Sequence, residues 1–154
     1  MNSAFDGVTF RLHGMVFAID ALKVREVVGG AEWLSERDDQ GSIQTRGRVI
    51  PVVDLRQLFG FDSLEKGAMN SFIAVQAPGG DPGQLAALWV DALLDMIHIL
   101  PGGLKAATGS IGTIPVRFLQ AVLEMDGESI YVIQTDEIVR EDFSGDKQLT
   151  KAAS

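Results

Sequence analysis

Short apolar segments separated by turn-forming residues run along the chain, and no long segment has apolar residues at the 3.6-residue period of a helix. Residues 9–12 and 15–19 flank His13-Gly14, which predicts a tight hairpin. Asp126-Gly127 lies between two further apolar segments and suits a type I′ turn, in which both central residues need positive φ. The pattern therefore predicts an all-β protein.

Helical structure is predicted only as short turns. The β-branched run at 49–53 ends at Asp54, which is placed to cap one turn of helix that Gly60 then ends. Two further strands are predicted at 71–76 and 85–90, on either side of a loop rich in Gly and Pro.

Two pairs of segments repeat in the same order. IDALKVREVV (19–28) returns 71 positions later as VDALLDMIHI (90–99), and RGRVIPVVDLRQLF (46–59) has a counterpart 80 positions later in DGESIYVIQTDEIV (126–139). Two similar β-units of about 65 to 75 residues would each be too small to be comfortably stable alone. We therefore expect the two units to share a hydrophobic core.

The composition supports a folded protein and narrows its class. With 154 residues, 46% of them apolar, the chain suits one domain or two very small ones that share a core. The absence of Cys excludes a disulfide scaffold and a Cys-based zinc or redox site. The longest apolar run, residues 85–94, is too short to cross a bilayer, and no signal peptide is visible. We expect a cytoplasmic protein with no direct membrane insertion.

The charge argues against one class of partner. Acidic residues outnumber basic ones 21 to 13, and the stretch from Glu124 to Asp146 holds eight carboxylates with Arg140 as its only basic residue. A surface of this kind repels phosphate backbones, so we expect no nucleic-acid partner. Residues 142–154 are predicted to be a flexible acidic and polar tail.

Motifs for catalysis are sparse. The chain has no P-loop, no dinucleotide-binding glycine pattern and no nucleophile elbow. His13 and His98 each lack a second His or an E-x-x-H partner nearby in the sequence. We therefore expect no metal site, no bound cofactor and no enzymatic activity.

Three aspartates stand where predicted strands end. Asp20 and Asp91 occupy equivalent positions of the repeat, and Asp54 follows the 49–53 run. We interpret all three as caps that accept backbone N–H bonds from the turn after each strand, because a repeated fold also repeats its caps. The alternative is a small ligand-binding or enzymatic barrel in which Asp20, Asp91 and His98 meet in a polar pocket.

Trp33 has two interpretations of equal weight. It lies in the polar segment AEWLSERDDQG, where the pattern does not require burial. Because Trp is enriched at binding hot spots, Trp33 is a candidate partner anchor. It is equally a candidate lid over the core of its own small barrel.

Four segments together resemble the CheW-like family of chemotaxis adaptors. RGRVIPVVDLRQLFG (46–60) is similar to the family motif R-G-x-[VI]-[IVL]-P-[VI]-[VI]-D-L-R-x-x-[FL]-G. FRLHGMVFAIDALKVREVV (10–28), LAALWVDALLDMIHI (85–99) and FLQAVLEMDGESIYVIQTDEIV (118–139) resemble other family segments in the right order. The resemblance delimits a domain at residues 9–141, preceded by an extension of residues 1–8.

The resemblance implies two intertwined, five-stranded SH3-like β-barrels around a common core. It also implies a non-catalytic adaptor that needs no cofactor. In this family one edge binds the regulatory domain of a CheA-type histidine kinase, and the groove between the barrels takes the cytoplasmic helical tip of a chemoreceptor. The protein is then expected to be a monomer alone and to join membrane receptor arrays through its partners.

The resemblance also implies binding residues. Arg46 and Gly47 match the family's Arg-Gly, whose Arg is implicated in receptor contact, and Val24 and Glu26 match a V-x-E pair associated with partner binding. With Trp33 these residues form the predicted partner-binding set. An Arg beside a Gly can fork onto a carboxylate and is a common hot-spot residue. The alternatives are an ordinary turn Arg and a solvated strand Glu.

The chain departs from the family pattern just before Arg46-Gly47. Residues 29–45 form a shorter segment that lacks Pro and is rich in acidic residues, while Ala121 and Gln134 replace a family Gly and Asp. These departures concern the expected receptor contact. We therefore keep as an alternative a CheW-like scaffold for a kinase of twitching motility or of another two-component pathway.

Overall fold

The computed structural model describes residues 4–29, 31–33, 41–62, 71–78 and 84–142. These residues form twelve strands and two α-helices, with the bounds β1 (Phe5–Leu12), β2 (Met15–Asp20), β3 (Val24–Gly29), β4 (Glu32–Trp33), β5 (Ser42–Thr45), β6 (Arg48–Asp54), α1 (Leu55–Leu58), β7 (Ser71–Gln76), β8 (Leu85–Val90), β9 (Ala92–Ile99), β10 (Leu104–Ala106), β11 (Leu119–Met125), β12 (Glu128–Ile133) and α2 (Thr135–Asp142). Short 3₁₀ turns lie at Ala21–Lys23, Pro101–Gly103 and Val116–Phe118. Among the described residues no helix is both long and apolar enough to cross a membrane.

The strands form two curled sheets, which confirms the all-β prediction. The strand order is β10-β11-β12-β2-β1-β9 in the first sheet and β3-β7-β8-β6-β5-β4 in the second. Each sheet has six strands where five were expected, and the outermost β4 and β10 contribute only two and three residues.

The two barrels exchange hairpins. β1 and β2 join β9–β12 in the first sheet, while β7 and β8 join β3–β6 in the second. Each exchanged hairpin is joined by a parallel pair on one side, with Ala18 of β2 opposite Val132 of β12 and Val53 of β6 opposite Leu88 of β8. On the other side it is joined by an antiparallel pair, β1 with β9 and β7 with β3. Each strand has a counterpart six strands away in the chain, so that β1 corresponds to β7 and β2 to β8. Corresponding strands follow one another in the same order in the two sheets. The predicted repeat is therefore present, and the barrels are intertwined.

The core explains why several strands are apolar without alternation. Phe17 and Ile19 of β2 contact the cluster that lies between the sheets, whereas Val16 and Ala18 contact a second cluster inside the first barrel. β8 behaves likewise, and all six of its residues are buried. A strand covered on both faces needs apolar residues at consecutive positions, because neither face meets water.

Both predicted hairpin turns are confirmed. Leu12 pairs with Met15 and Met125 with Glu128, which leaves two-residue loops at His13-Gly14 and Asp126-Gly127. All four loop residues have positive φ, between 53° and 79°, as type I′ turns require.

The first strand begins earlier than its pattern indicates. β1 starts at Phe5 rather than residue 9, because Asp6 pairs with His98 of β9 and extends the sheet. Residues 5–8, predicted as part of an N-terminal extension, therefore belong to the first sheet. Residues 1–3 of that extension and residues 143–154 of the predicted tail lie outside the described residues.

Two of the three aspartates predicted as caps accept the expected bonds. Asp20 accepts a hydrogen bond from the backbone N–H of Leu22 at 2.9 Å and begins the Ala21–Lys23 turn. Asp54 accepts one from the backbone N–H of Gln57 at 3.2 Å and begins α1. Each bond satisfies a donor that a helical turn leaves unpaired at its start.

Asp91 has a different role, and the prediction that it caps the turn after its strand is wrong. It lies at a bend directly before β9, so no helical turn follows it. Its carboxylate accepts two hydrogen bonds from Arg56 of α1, both 2.7 Å, and one from the backbone N–H of His13 at 2.9 Å. Asp91 therefore links α1 to the β1–β2 hairpin through hydrogen bonds.

The Arg56–Asp91 pair is mostly buried, with 16% and 18% of the two side chains exposed. Burial raises the pKa of Asp91, but the hydrogen bonds from Arg56 and His13 outweigh it, so the pKa lies below its ordinary value of 3.8. A pKa lowered by folding contributes stability that is complete above the unfolded-state pKa. That contribution is lost as the pH falls through the lowered pKa.

We expect Asp91→Asn to lower the free energy of unfolding by about 1–3 kcal/mol at pH 7, because it removes a charge-assisted bidentate contact. Urea denaturation at several pH values measures the difference in free energy of unfolding between the wild type and Asp91→Asn. We expect this difference to become smaller as the pH falls below about 3.8. Asp95→Asn, at an exposed position of β9, is the matched control and should change stability by no more than about 0.5 kcal/mol. An equal loss for Asp91→Asn at pH 7 and at about pH 2.5 would contradict the charge-based account.

Candidate partner-binding surface

The Arg46-Gly47 pair forms a third tight hairpin turn. Thr45 of β5 pairs with Arg48 of β6, and the two residues between them have φ of 51° and 77°. Arg46 therefore lies at the tip of a type I′ turn, with 78% of its side chain exposed. A Cβ on Gly47 would meet nothing within 4 Å, so this position needs Gly for its backbone conformation alone.

The predicted residues Glu26 and Arg46 come together on one face of the second barrel. Glu26 lies on the edge strand β3, and the curled sheet brings it to the β5–β6 hairpin. Its Oε1 accepts a hydrogen bond from Arg48 Nη2 at 2.7 Å, and its Oε2 lies 3.8 Å from Arg46 Nη1. We call Glu26, Arg46 and Arg48 the charged cluster.

Arg48 is the member of the charged cluster that sequence reasoning missed. Its side chain is 49% exposed, compared with 16% for Glu26. The available signal was the second Arg of R-G-R, because a two-residue turn places the residue after the Gly next to the strand it pairs with.

Val24 and Trp33 pack inward. Val24 is half-buried against the cluster between the sheets. Trp33 is half-buried over the interior of the second barrel, with its ring centroid 4.9 Å from that of Trp89 and 5.7 Å from that of Phe72, both in edge-on geometry. This is the packing that the lid interpretation of Trp33 predicts.

The charged cluster is positive in an acidic protein. Two guanidinium groups and one carboxylate give it a net charge of +1 (2 − 1), whereas the whole chain carries −8. A cavity of about 290 Å³ adjoins Arg48 and includes Val49, which is 61% exposed. Among the residues that the structure describes, this surface places two guanidinium groups beside an exposed apolar side chain and brings no nucleophile or pair of carboxylates together.

The pocket proposed for an enzymatic or ligand-binding barrel does not form. Asp91 N donates to Arg11 O at one end of β1, while His98 contacts Asp6 at the other end, about 17 Å away along the strand. Asp20 lies opposite Gly7 in the register of β2 with β1. Within the described parts of the chain, no group of three or more His, Asp or Glu could hold a metal ion.

Comparison with known proteins agrees with this architecture. Residues 6–143 match the family model of the CheW-like domain. The chain belongs to the CheW-like family. It is 22% identical over 144 residues to chemotaxis protein CheW of Rhizobium meliloti (strain 1021), with 89% of this chain and 88% of that protein covered.

Two further relatives extend the comparison. The probable chemotaxis protein CheW of Rhizobium etli (strain ATCC 51251 / DSM 11541 / JCM 21823 / NBRC 15573 / CFN 42) is 22% identical over 138 residues, covering 87% of this chain and 86% of that protein. The crystal structure of the scaffolding protein TtCheW from Thermoanaerobacter tengcongensis superposes with a TM-score of 0.74 and 27% identity. That match covers 87% of this chain and 91% of the solved one. The CheW-like fold of two SH3-like barrels is therefore confirmed.

We expect Gly47→Ala to lower the free energy of unfolding by about 1–2 kcal/mol, because a Cβ is disfavoured at positive φ. Urea denaturation monitored by circular dichroism measures the change. Gly29→Ala on β3 is the matched control, since it also meets nothing within 4 Å but has no positive φ. Equal effects of the two substitutions would show that the Arg46-Gly47 conformation is not the constraint.

Proposed function

We propose that this CheW-like protein is a non-catalytic chemotaxis adaptor that couples chemoreceptors to a CheA-type histidine kinase. The family match supports a CheW-like chemotaxis scaffold, as do relatives that are themselves named for chemotaxis or scaffolding. Such a protein acts by differential binding. It biases the kinase between active and inactive states by its affinity for each state, and no bond is made or broken.

The observation that carries the proposal is the exposed guanidinium of Arg46 on its two-residue hairpin turn. Its side chain is 78% exposed, and its ionic contact with Glu26 is long at 3.8 Å. A guanidinium presented in this way can donate two parallel hydrogen bonds to a carboxylate. The cytoplasmic helical tip of a chemoreceptor is the partner that the CheW-like family implies for this position.

A second surface is proposed for the regulatory domain of the kinase. The outer strands β3 and β9 each end a sheet and carry exposed apolar side chains, among them Val27 on β3 and Met96 on β9, 48% and 64% exposed. Exposed strand edges with apolar side chains suit docking of one barrel against another. The protein would then reach the membrane only through its receptor partner and would stay in the cytoplasm.

Affinity capture from lysate tests the proposal. The purified protein is immobilised, lysate of the organism that encodes it is passed over it, and retained proteins are identified by mass spectrometry. We expect the wild-type protein to retain a CheA-type kinase and chemoreceptors. Arg46→Asn should retain the kinase while losing about 10-fold or more of the receptor signal.

The Arg46→Asn substitution separates binding from folding. It creates Asn-Gly, the sequence that type I′ turns prefer, so the hairpin should be at least as stable as before. Asp126→Asn makes the same change in the turn between β11 and β12, far from the charged cluster in sequence, and should leave receptor capture unchanged. Capture of neither kinase nor receptor by the wild-type protein would overturn the proposal. Capture of the kinase alone would exclude receptor coupling.

A deletion strain distinguishes the chemotaxis pathway from the alternative of a non-flagellar pathway. Deleting the gene should reduce spreading in soft agar without loss of flagella, and the Arg46→Asn gene should fail to restore it. Normal swimming with altered surface motility would instead assign the adaptor to a twitching or other two-component kinase.

A further inference from the structure

We propose that Arg48 is a positioning residue, which occupies Glu26 and so keeps Arg46 available for an acidic group of the partner. This inference rests on the proposed adaptor function and deepens it. The family motif R-G-x leaves the residue at position 48 unspecified. Glu26 links the two arginines, because its carboxylate contacts both of them.

The two contacts of Glu26 are unequal. Arg48 Nη2 lies 2.7 Å from Oε1, which is the distance of a strong charge-assisted hydrogen bond. Arg46 Nη1 lies 3.8 Å from Oε2, beyond hydrogen-bond distance. Among the described residues, the principal partner of Glu26 is therefore Arg48, and Glu26 attracts Arg46 at a longer distance.

The two arginines also differ in the exposure of their side chains. The Glu26 side chain is 16% exposed, that of Arg48 is 49% exposed and that of Arg46 is 78% exposed. A guanidinium carries five N–H donors and no acceptor. The donors of Arg46 therefore face solvent, where a partner carboxylate can reach them without first breaking a short ion pair.

Removing Arg48 should change this balance. Glu26 would keep a mostly buried carboxylate with a single remaining cation, and Arg46, at the tip of a two-residue turn, is close enough to take the place of Arg48. The cluster would then be neutral (1 − 1) instead of +1. A partner would have to displace Glu26 from Arg46, and the positive charge that favours an acidic partner would be gone.

The chemistry of the partner follows from the charge. The rest of the chain carries a net charge of −9 (−8 − 1), which disfavours a carboxylate, whereas the charged cluster attracts it. The cluster holds two cations and one anion, so one carboxylate from the partner completes the charge balance. We therefore assign this site to an acidic side chain on the receptor tip.

A double-mutant cycle tests whether Arg48 acts through Glu26. The affinity of a purified cytoplasmic-tip fragment of a host chemoreceptor is measured by calorimetry for the wild type, Arg48→Gln, Glu26→Gln and the double variant. Arg48→Gln should raise Kd about 5- to 10-fold in the wild-type background. In the Glu26→Gln background it should raise Kd less than about 2-fold, because the carboxylate of Glu26 no longer competes for Arg46.

Other results of the double-mutant cycle would overturn either the inference or the proposed function. An equal loss in both backgrounds would show that Arg48 contacts the partner directly, and no loss in either would show that it has no part in binding; both overturn the inference. A wild-type protein that binds no receptor fragment would overturn the proposed function itself. Arg25→Gln removes the same charge from β3, where Arg25 bonds Leu22 O and not Glu26, and should leave Kd within about 2-fold.

A measurement without any partner keeps the two proposals separate. In ¹⁵N-labelled protein, the side-chain Nε–H of Arg46 should exchange rapidly with solvent in the wild type and be protected in Arg48→Gln, where Arg46 closes on Glu26. The double variant with Glu26→Gln should return to rapid exchange. Unchanged Arg46 exchange in Arg48→Gln would overturn the inference even if receptor binding is intact.

Discussion

The apolar cluster between the two sheets is the constraint on which the rest of the molecule depends. It joins Phe17 of β2 in the first sheet to Leu88 of β8 in the second, together with side chains from both helices. Each repeat unit alone would be too small to bury enough apolar surface. Exchange of the β1–β2 and β7–β8 hairpins places strands with two apolar faces between the barrels. The two barrels therefore share one core and form a single structural unit.

The two repeat units share the same geometry around this core, but their ion pairs differ. After β8, Asp91 pairs with Arg56 of α1, and after β2, Lys23 pairs with Asp136 of α2. Arg56 and Asp136 occupy equivalent repeat positions and carry opposite charges, whereas Lys23 lies three residues after Asp20, the repeat counterpart of Asp91. The first pair, Arg56–Asp91, is mostly buried, with side chains 16% and 18% exposed, while the second pair, Lys23–Asp136, is 47% and 43% exposed. Exposed ion pairs contribute little, so only the first is expected to matter for stability.

The features that the sequence predicted correctly are those set by neighbouring residues. The dipeptides His13-Gly14 and Asp126-Gly127 fix their turns through local φ preference, and the repeat predicted a shared core because apolar positions recur. The role of Asp91 was missed because its partner, Arg56, lies 35 residues away and repeat position carries no information about it. β5 was missed because its short segment SIQT is mostly polar. The charged cluster needed the resemblance for Glu26 and Arg46, and it needed the folded sheet for Arg48.

The backbone at Arg46 argues for a role of its side chain. Three type I′ turns have His13, Arg46 and Asp126 at their first position, with φ between 51° and 54°. Asp and His are enriched at positive φ, because their short polar side chains tolerate it, whereas Arg has no such preference. The turn itself would be better served by Asn or Gly. The proposed function gives a reason for Arg at this position, because its exposed guanidinium, beside Glu26 and Arg48, is the group that would bind the partner.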